Sequence, residues 1–591
     1  MALLAVLAFL PALENGFVAW DDDRNFLENP RYRGLGFAQL RWMWTTFHMG
    51  HYIPLSWMTL GLDYTVWGMN PFGYHLTSVL LHAGAAVALY FVALRLFRSM
   101  DGPWRADPRG PALAAAGAAL LFALHPLRVE SVAWVTERRD VLSGLFFFLS
   151  LLGYLRAVDR APPDRRRLAA SLVLFVCALL SKASTVALPA VLLVLDVYPL
   201  RRLGGDRGWW SPAARAVYLE KLVFLVPAAA AAALAPVALG DLPQLGVAGK
   251  LAVSAWSWGF YLAKSVVPAG LSPLYPMPDE VHPFAGRFVL AYAVVIGIAV
   301  LVWRARRRMP GLAVAWLAYG AVLLPLLGVF QNGPQIAADR YTYLAGAVLG
   351  LLGAAGLAFL ARPLALGAGA AAVVALGGLT WKQIGIWHDS ERLWTRVIDQ
   401  GADSELAYTN LGNELVRQGR VDEAIERFQQ ALAVRPGFAE AHAGWGTALA
   451  RAGRPAEAIE RYRLAVESWP GYARAHGNWG AALAQLGRLD EAIEHYRRAL
   501  ELDPSLADAA VNWGNALVRT GHFDEAIDRY RRALEIHPGL ASAHANWGTA
   551  LALQGRMPEA VEQYHRALAL DPGDTDTREL LARALRLESR K

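Results

Sequence analysis

Two hydrophobic patterns divide the chain. Long apolar runs separated by short charged links fill the first 381 positions, and amphipathic stretches recurring every 34 residues fill the rest. About 20 apolar residues at 1.5 Å rise cross the hydrocarbon core of a bilayer. That measure predicts spans at 1–19, 74–97, 111–124, 141–155, 168–180, 183–199, 219–239, 287–303, 310–330, 342–361 and 363–381. The Trp-rich stretch 251–268 is apolar but carries Lys264 and follows Lys250, so it reads as interfacial or re-entrant. Residues 1–19 lack a basic leading segment and a small-x-small cleavage site, which favours a retained first helix over a signal peptide.

The second pattern is a repeat. Pro436, Pro470, Pro504, Pro538 and Pro572 fall 34 residues apart, as do Gly412 through Gly548, Gly419 through Gly555, and Ala424 through Ala560. Phe428, Tyr462, Tyr496, Tyr530 and Tyr564 keep the same period. This is the tetratricopeptide signature: small residues let paired helices approach, an aromatic fills the gap, and proline ends the second helix. Five repeats over 404–573 are expected to stack as a solenoid, with 382–403 as a linker helix and 574–591 as a capping helix. The fold class is therefore all-α, a polytopic membrane domain (1–381) of about 11 helices followed by the repeat array. Asn410, Asn478, Asn512 and Asn546 share one register, with Gly444 in the remaining place, on the concave side of the first helices. Such a column can pair with the backbone of an extended acceptor peptide, or it can simply suit the repeat.

Charge settles the orientation. Residues 1–381 hold 31 Lys/Arg against 20 Asp/Glu, and residues 382–591 hold 26 against 30, so the overall +7 belongs to the apolar half. A nucleic-acid binder would carry that excess on a soluble face. Here 19 of the basic residues crowd alternate links (95–109, 156–167, 201–221, 304–308 and 362), and the positive-inside rule puts those links in the cytoplasm. The first loop, 20–73, and everything after 381 then lie outside. With a single cysteine, Cys177, no disulfide scaffold exists. Only 6 of the 57 basic residues are lysine and alanine is abundant, which points to a bacterial inner membrane; a eukaryotic chain would sit in the ER membrane.

Ionisable residues at membrane depth cost free energy and usually pair or serve a substrate pathway. They gather here in the outer links. Asp21, Asp22 and Asp23 follow the first span, and 125–140 crowds His125, Arg128, Glu130, Glu137, Arg138, Arg139 and Asp140 into one short connection. Lys182 and the Asp339–Arg340 pair lie on the same side. Cations beside acids at an interface suit a lipid-linked phosphate; structural ion pairs are the plain alternative. His442, His476 and His544 recur at one repeat position and read as packing. No phosphate-binding glycine loop, CxxC or HExxH pattern occurs.

These stretches carry a resemblance. FVAWDDDRNFLENP, HYIPLSW, NPFGYHLTSVLLH, FALHPLRVESVAWVTERRDVLS, LSKA and DRYTYL together resemble the transmembrane and tetratricopeptide-containing (TMTC) O-mannosyltransferases and their bacterial relatives, within the GT-C class of membrane glycosyltransferases. The resemblance implies transfer of a sugar, typically mannose, from a polyprenyl-phosphate donor to Ser or Thr of extracytoplasmic proteins. It also implies a first-loop acid at the active site, which maps onto Asp21 and Asp22. Arg138, Lys182 and Arg340 are then the candidates for the leaving phosphate, Glu130 and Asp140 would orient them, and His125 would position a substrate hydroxyl. The expected partners are that donor, membrane lipid, and acceptor proteins on the concave repeat face, with no nucleic acid. No ligand set demands a metal, and a divalent cation near the Asp run is left open. The rival classes are a non-enzymatic membrane scaffold displaying the repeats, and a transporter, for which internally duplicated halves would be expected.

Overall fold

The computed structural model describes residues 1–160, 162–239, 245–278, 280–328 and 335–588, without the side chains of residues 206 and 235–239. Among them the chain is helical apart from one antiparallel pair of short strands, Tyr275–Pro276 and Gln335–Ala337. It divides into two compact units, Met1–Ala402 and Asp403–Lys591.

In the first unit each expected span overlaps a described helix, although residues 15–19 of the first lie outside one and 329–330 lie outside the described residues. Among the described residues five helices are long and apolar enough to cross a membrane: Pro71–Ser99, Val135–Ala157, Pro212–Leu234, Gly286–Ala305 and Arg362–Trp387. Gly110–Ala123 and Pro126–Ala133 pass that test only as a pair bent by 57°, with Pro126 at the break. Ala2–Glu14, Ala183–Val197, Pro310–Leu326 and Ala345–Leu357 are apolar but shorter. Pro11 turns the first of these into a 3-10 segment after Phe9. The Trp-rich stretch forms a helix over Val247–Val266.

Burial separates centre from rim. Some 72% of the Val135–Ala157 window is buried, against 17% for Gly286–Ala305 and 6% for Arg362–Trp387. Apolar helices left this uncovered need an apolar solvent, so the first unit is membrane-associated. The central helix carries polar clusters at both ends. Near its C-terminus Tyr154 donates to Asp196 (2.7 Å), which also meets Lys221 (2.7 Å) and Arg202 (3.1 Å). Arg202 in turn holds Glu220 at 2.8 Å. The other cluster, at the N-terminal end, is described below. The segment expected as a linker is part of this unit: helix Ser390–Asp399 buries Leu393, Trp394 and Val397. An apolar face of that kind needs a partner surface.

The second unit comprises five helix pairs, from Glu405–Arg417 with Val421–Val434 to Ala541–Leu553 with Met557–Leu570, followed by Thr575–Glu588. Two glycine registers explain the period. Gly419, Gly453, Gly487, Gly521 and Gly555 take φ between 74° and 85°, the left-handed turn that ends each first helix. A Cβ on Gly514 would lie 2.5 Å from the Tyr530 ring, and on Gly480 2.8 Å from Tyr496, so the aromatic occupies the space the missing side chain leaves. Asn478 is exposed, while Asn410, Asn512 and Asn546 are half-buried. His442 contacts the Pro436 carbonyl (3.1 Å) and His544 the Gln563 amide oxygen (2.8 Å), both packing roles.

Candidate active site

The site grows from the loop that follows the first apolar helix. After Glu14 the chain leaves helical geometry, and the two acids that follow are treated differently by their surroundings. Asp22 is 1% exposed. Its Oδ2 accepts the Val18 amide at 3.0 Å, and its Oδ1 accepts both the amide (3.1 Å) and the hydroxyl (2.6 Å) of Thr136. Thr136 Oγ1 accepts in turn from Asn25 Nδ2 at 3.0 Å. Asp22 therefore ties the first loop to residues 134–137. Asp21 is only half-buried. It lines a cavity of about 60 Å³ with His48, His51, Ser56, Thr136 and Arg139, room for about two waters. Burial pushes the Asp21 carboxyl up to about 6, against the pull of Arg139 and Arg340. Burial pushes Asp22 up to about 7, opposed by the hydrogen bonds from Thr136 and Val18. His51 is held down to about 3, first by the Arg139 charge and then by burial, so its imidazole is neutral.

Behind the cavity one carboxylate gathers three cations. Glu137, fully buried, receives Arg139 through two donors (2.6 and 3.1 Å), Lys182 at 3.0 Å and Arg340 at 3.2 Å. Lys182 also meets Asp140 at 2.6 Å, and Ser131 donates to Asp140 at 3.1 Å. The Arg340 amide donates to Glu130 at 2.8 Å, and its guanidinium forms a short ion pair with the same carboxylate. Arg340 also lies over the Trp134 ring, 5.4 Å from its centroid. The cations come from three segments far apart in sequence: the start of the central helix, the residue capping Arg165–Ser181, and the turn Asp339–Thr342. Charges buried like this persist only where each has partners.

The structure thus brings Asp21, Asp22, Glu130, Asp140, Lys182 and Arg340 into one neighbourhood. Arg138 and His125 stand apart from it. Arg138, 0% exposed, turns to Asp63 (2.7 Å), Ser78 (2.8 Å) and the Tyr74 carbonyl (2.5 Å). The cause is helical geometry, since adjacent residues on a helix point about 100° apart. Its neighbour Arg139 turns instead to Glu137, where the three cations gather. His125 caps the next turn by accepting the Leu127 amide (3.2 Å), and its other nitrogen lies 3.1 Å from the Ser265 carbonyl. Glu137, Arg139 and Thr136 are the residues that sequence reasoning passed over as site members. The first two were visible in the crowded 125–140 link, but nothing in their spacing told hub from flank. Among the described residues no group of three or more His, Cys, Asp or Glu could hold a metal ion.

Comparison with known proteins adds two facts. Tetratricopeptide repeat family models match residues 409–473 and 511–575, and a second such model matches 471–539. The chain is 35% identical over 155 residues to protein O-mannosyl-transferase TMTC2 of Homo sapiens, covering 26% of this chain and 17% of that protein. It is 39% identical over 112 residues to TMTC4 (18% and 15%) and 32% identical over 223 residues to TMTC1 (34% and 24%), both of Homo sapiens. Each match thus spans less than a quarter of the relative's own length. Among solved structures, the crystal structure of MamA is similar over 27% of this chain and 95% of that one, at 28% identity and a TM-score of 0.26. The second unit thus carries tetratricopeptide repeats, and part of the chain is similar to the TMTC protein O-mannosyl-transferases.

Proposed function

We propose that the protein is a membrane glycosyltransferase that moves a sugar, mannose in the first instance, from a polyprenyl phosphate to Ser or Thr hydroxyls of extracytoplasmic proteins. The observation that carries this reading is the placement of a half-buried carboxylate, Asp21, in a cavity shared with Arg139, with Lys182 and Arg340 gathered on the same Glu137 behind it. A scaffold or simple anchor gains nothing from burying three cations and three carboxylates together, because desolvating each costs several kcal/mol.

In this mechanism the acceptor hydroxyl enters beside Asp21, whose carboxylate takes its proton as the oxygen attacks the sugar C1. The C1–O bond to phosphate breaks on the opposite face, and its electron pair leaves with the phosphate oxygen, inverting the anomeric centre. General-base assistance of this kind contributes about 10² to 10⁴ in rate. Arg139 meets the growing phosphate charge from the cavity wall, and Lys182 and Arg340 reinforce it through the shared carboxylate, a field already in place before reaction. Between the two acids of the first loop, Asp21 suits the base and Asp22 the clamp, because donors already engage both oxygens of Asp22. His51, kept neutral, can exchange hydrogen bonds with a sugar or acceptor hydroxyl. The repeat unit would present acceptor chains along Asn410, Asn478, Asn512 and Asn546. Positive-inside orientation puts the site and the repeats outside the cytoplasm.

The deciding experiment supplies membranes containing the protein with radiolabelled polyprenyl-phosphate mannose and asks where the label goes. Entry into protein supports the reading. Entry into lipid or glycan reassigns the acceptor, and no entry returns the chain to the scaffold class.

A further inference from the structure

The segment just before the repeat array is built into the active-site loop. Ala19, two residues before Asp21, has both backbone groups satisfied by side chains some 370 positions away. Its amide donates to Ser390 Oγ at 2.9 Å, and its carbonyl accepts from Trp394 Nε1 at 3.2 Å. The Gly16 amide donates to the His388 carbonyl at 2.9 Å. Trp20 then lies flat on Trp394, with ring centroids 4.8 Å apart and planes 11° apart. The other side of Trp20 meets Trp134 edge-on at 5.8 Å, and Trp134 stacks on Trp387 at 5.5 Å. Trp387 and Trp394 are each 1% exposed. Three indoles, Trp394, Trp20 and Trp134, therefore run from helix Ser390–Asp399 to the ring beneath the Arg340 guanidinium, and Trp387 stacks on that last ring.

We propose that Ser390 and Trp394 are positioning residues for Asp21, holding the Ala19–Trp20 peptide so that the carboxylate stays in its cavity and in register with the cations around Glu137. This rests on the proposed transferase reading. The physical case is one of lever arm. Two backbone hydrogen bonds and a stacked ring fix the chain one and two residues upstream of the base, and a misplacement of about 1 Å in such a group can cost about 100-fold in rate. Among the described residues no hydrogen bond holds the Asp21 side chain, so its place is set through the backbone, by Ala19–Trp20 before it and the Asp22 clamp after it. The charged and titratable groups around Asp21 are Arg139, Arg340, Asp22, Asp23 and Arg24, with His48 and His51 across the cavity. None of them lies on Ser390–Asp399, so a change there reaches Asp21 by geometry and hydration and not by charge.

The test uses the full-length protein in lipid nanodiscs, as wild type, Ser390→Ala, Trp394→Phe and Trp394→Ala. Carbodiimide reacts with protonated carboxyls, so the pH dependence of Asp21 labelling, resolved by peptide mass spectrometry, reports its setting without any need for turnover. Transfer from a short-chain polyprenyl-phosphate mannose to a Ser/Thr peptide gives kcat and the donor KM. The expected result for Trp394→Ala is a labelling midpoint lower by about one pH unit, as water reaches a loosened carboxylate. Its kcat should fall about 10- to 100-fold with the donor KM within about two-fold. Ser390→Ala should show the same change in milder form, and Trp394→Phe should recover most of both. If Trp394→Ala does not fold, Ser390→Ala decides. Unchanged midpoint and kcat in the folded variants overturn the proposal, as does a loss that falls on the donor KM alone. Wild-type protein without transfer would overturn the transferase reading instead, while labelling would still judge the positioning.

Discussion

Arg340 stands 3.2 Å from Glu137, a carboxylate it shares with two other cations. The pair joins the turn before a short apolar helix to the start of the central helix, across about two hundred residues of sequence. It makes Glu137 the hub of the site, although the cations around it carry the phosphate-binding proposal.

Removing that hub should therefore be worse than removing any spoke. Glu137→Ala leaves Arg139 and Lys182 each one anion short inside the protein, and breaking a buried pair in this way costs about 3–5 kcal/mol. Thermal unfolding in nanodiscs should show a large drop for Glu137→Ala and a smaller one for Arg139→Met. Equal melting temperatures for the hub variant and wild type would mean that water already solvates these charges.

The two first-loop acids should separate cleanly. Asp21→Asn keeps the shape but cannot take a proton, so transfer should fall by about 10² to 10⁴ while melting at neutral pH holds or rises, because the buried charge is gone. Asp22→Asn turns an amide donor toward either Val18 N–H or Thr136 N–H, leaving a buried donor without an acceptor, at a cost of about 1–3 kcal/mol in stability. Wild-type turnover in Asp21→Asn would end the base assignment.

The pH dependence follows from Asp21. Its pKa is raised to about 6 and its role needs the carboxylate, so kcat should climb as pH rises through about 6 and level off above it. Stability runs the other way. A carboxyl whose folded pKa exceeds the ordinary 3.8 binds its proton more tightly when folded. Asp21 and Asp22 therefore contribute most stability below about pH 4, and this is lost as pH rises to about 7. An acid limb that persists unchanged in Asp21→Glu and in Asp21→Asn would assign the titration to another group.

On the repeat unit, Asn478→Ala with Asn512→Ala should raise the KM for a protein acceptor several-fold and leave that for the lipid donor alone. Equal effects on both substrates would move acceptor recognition off the asparagine column. Gly514→Ala tests the packing instead. Its new methyl would sit 2.5 Å from the Tyr530 ring, so the intact protein should lose about 1–3 kcal/mol of repeat stability by circular dichroism.

Periodic and compositional features were legible from the residues alone. The 34-residue spacing of Gly, Ala, aromatic and Pro specified the helix pairs, because each position answers to a neighbour within its own repeat or the next. Apolar runs located helices of the first unit, five of which, among the described residues, are long and apolar enough to cross a membrane. Crowding of charge in the 125–140 link, at Lys182 and at Asp339–Arg340 marked residues that the structure brings together. Which charges meet was a tertiary decision. Arg138 and Arg139 are adjacent and chemically alike, yet a helical turn sends one to Asp63 and the other to Glu137. Asp21 and Asp22 look interchangeable in sequence, and Val18 together with Thr136, more than a hundred residues away, engages one of them and leaves the other beside a cavity. The segment read as a linker became part of the loop's support for the same reason: long-range contacts are set by how helices pack, and a sequence pattern reports only which faces want burial, not what will bury them.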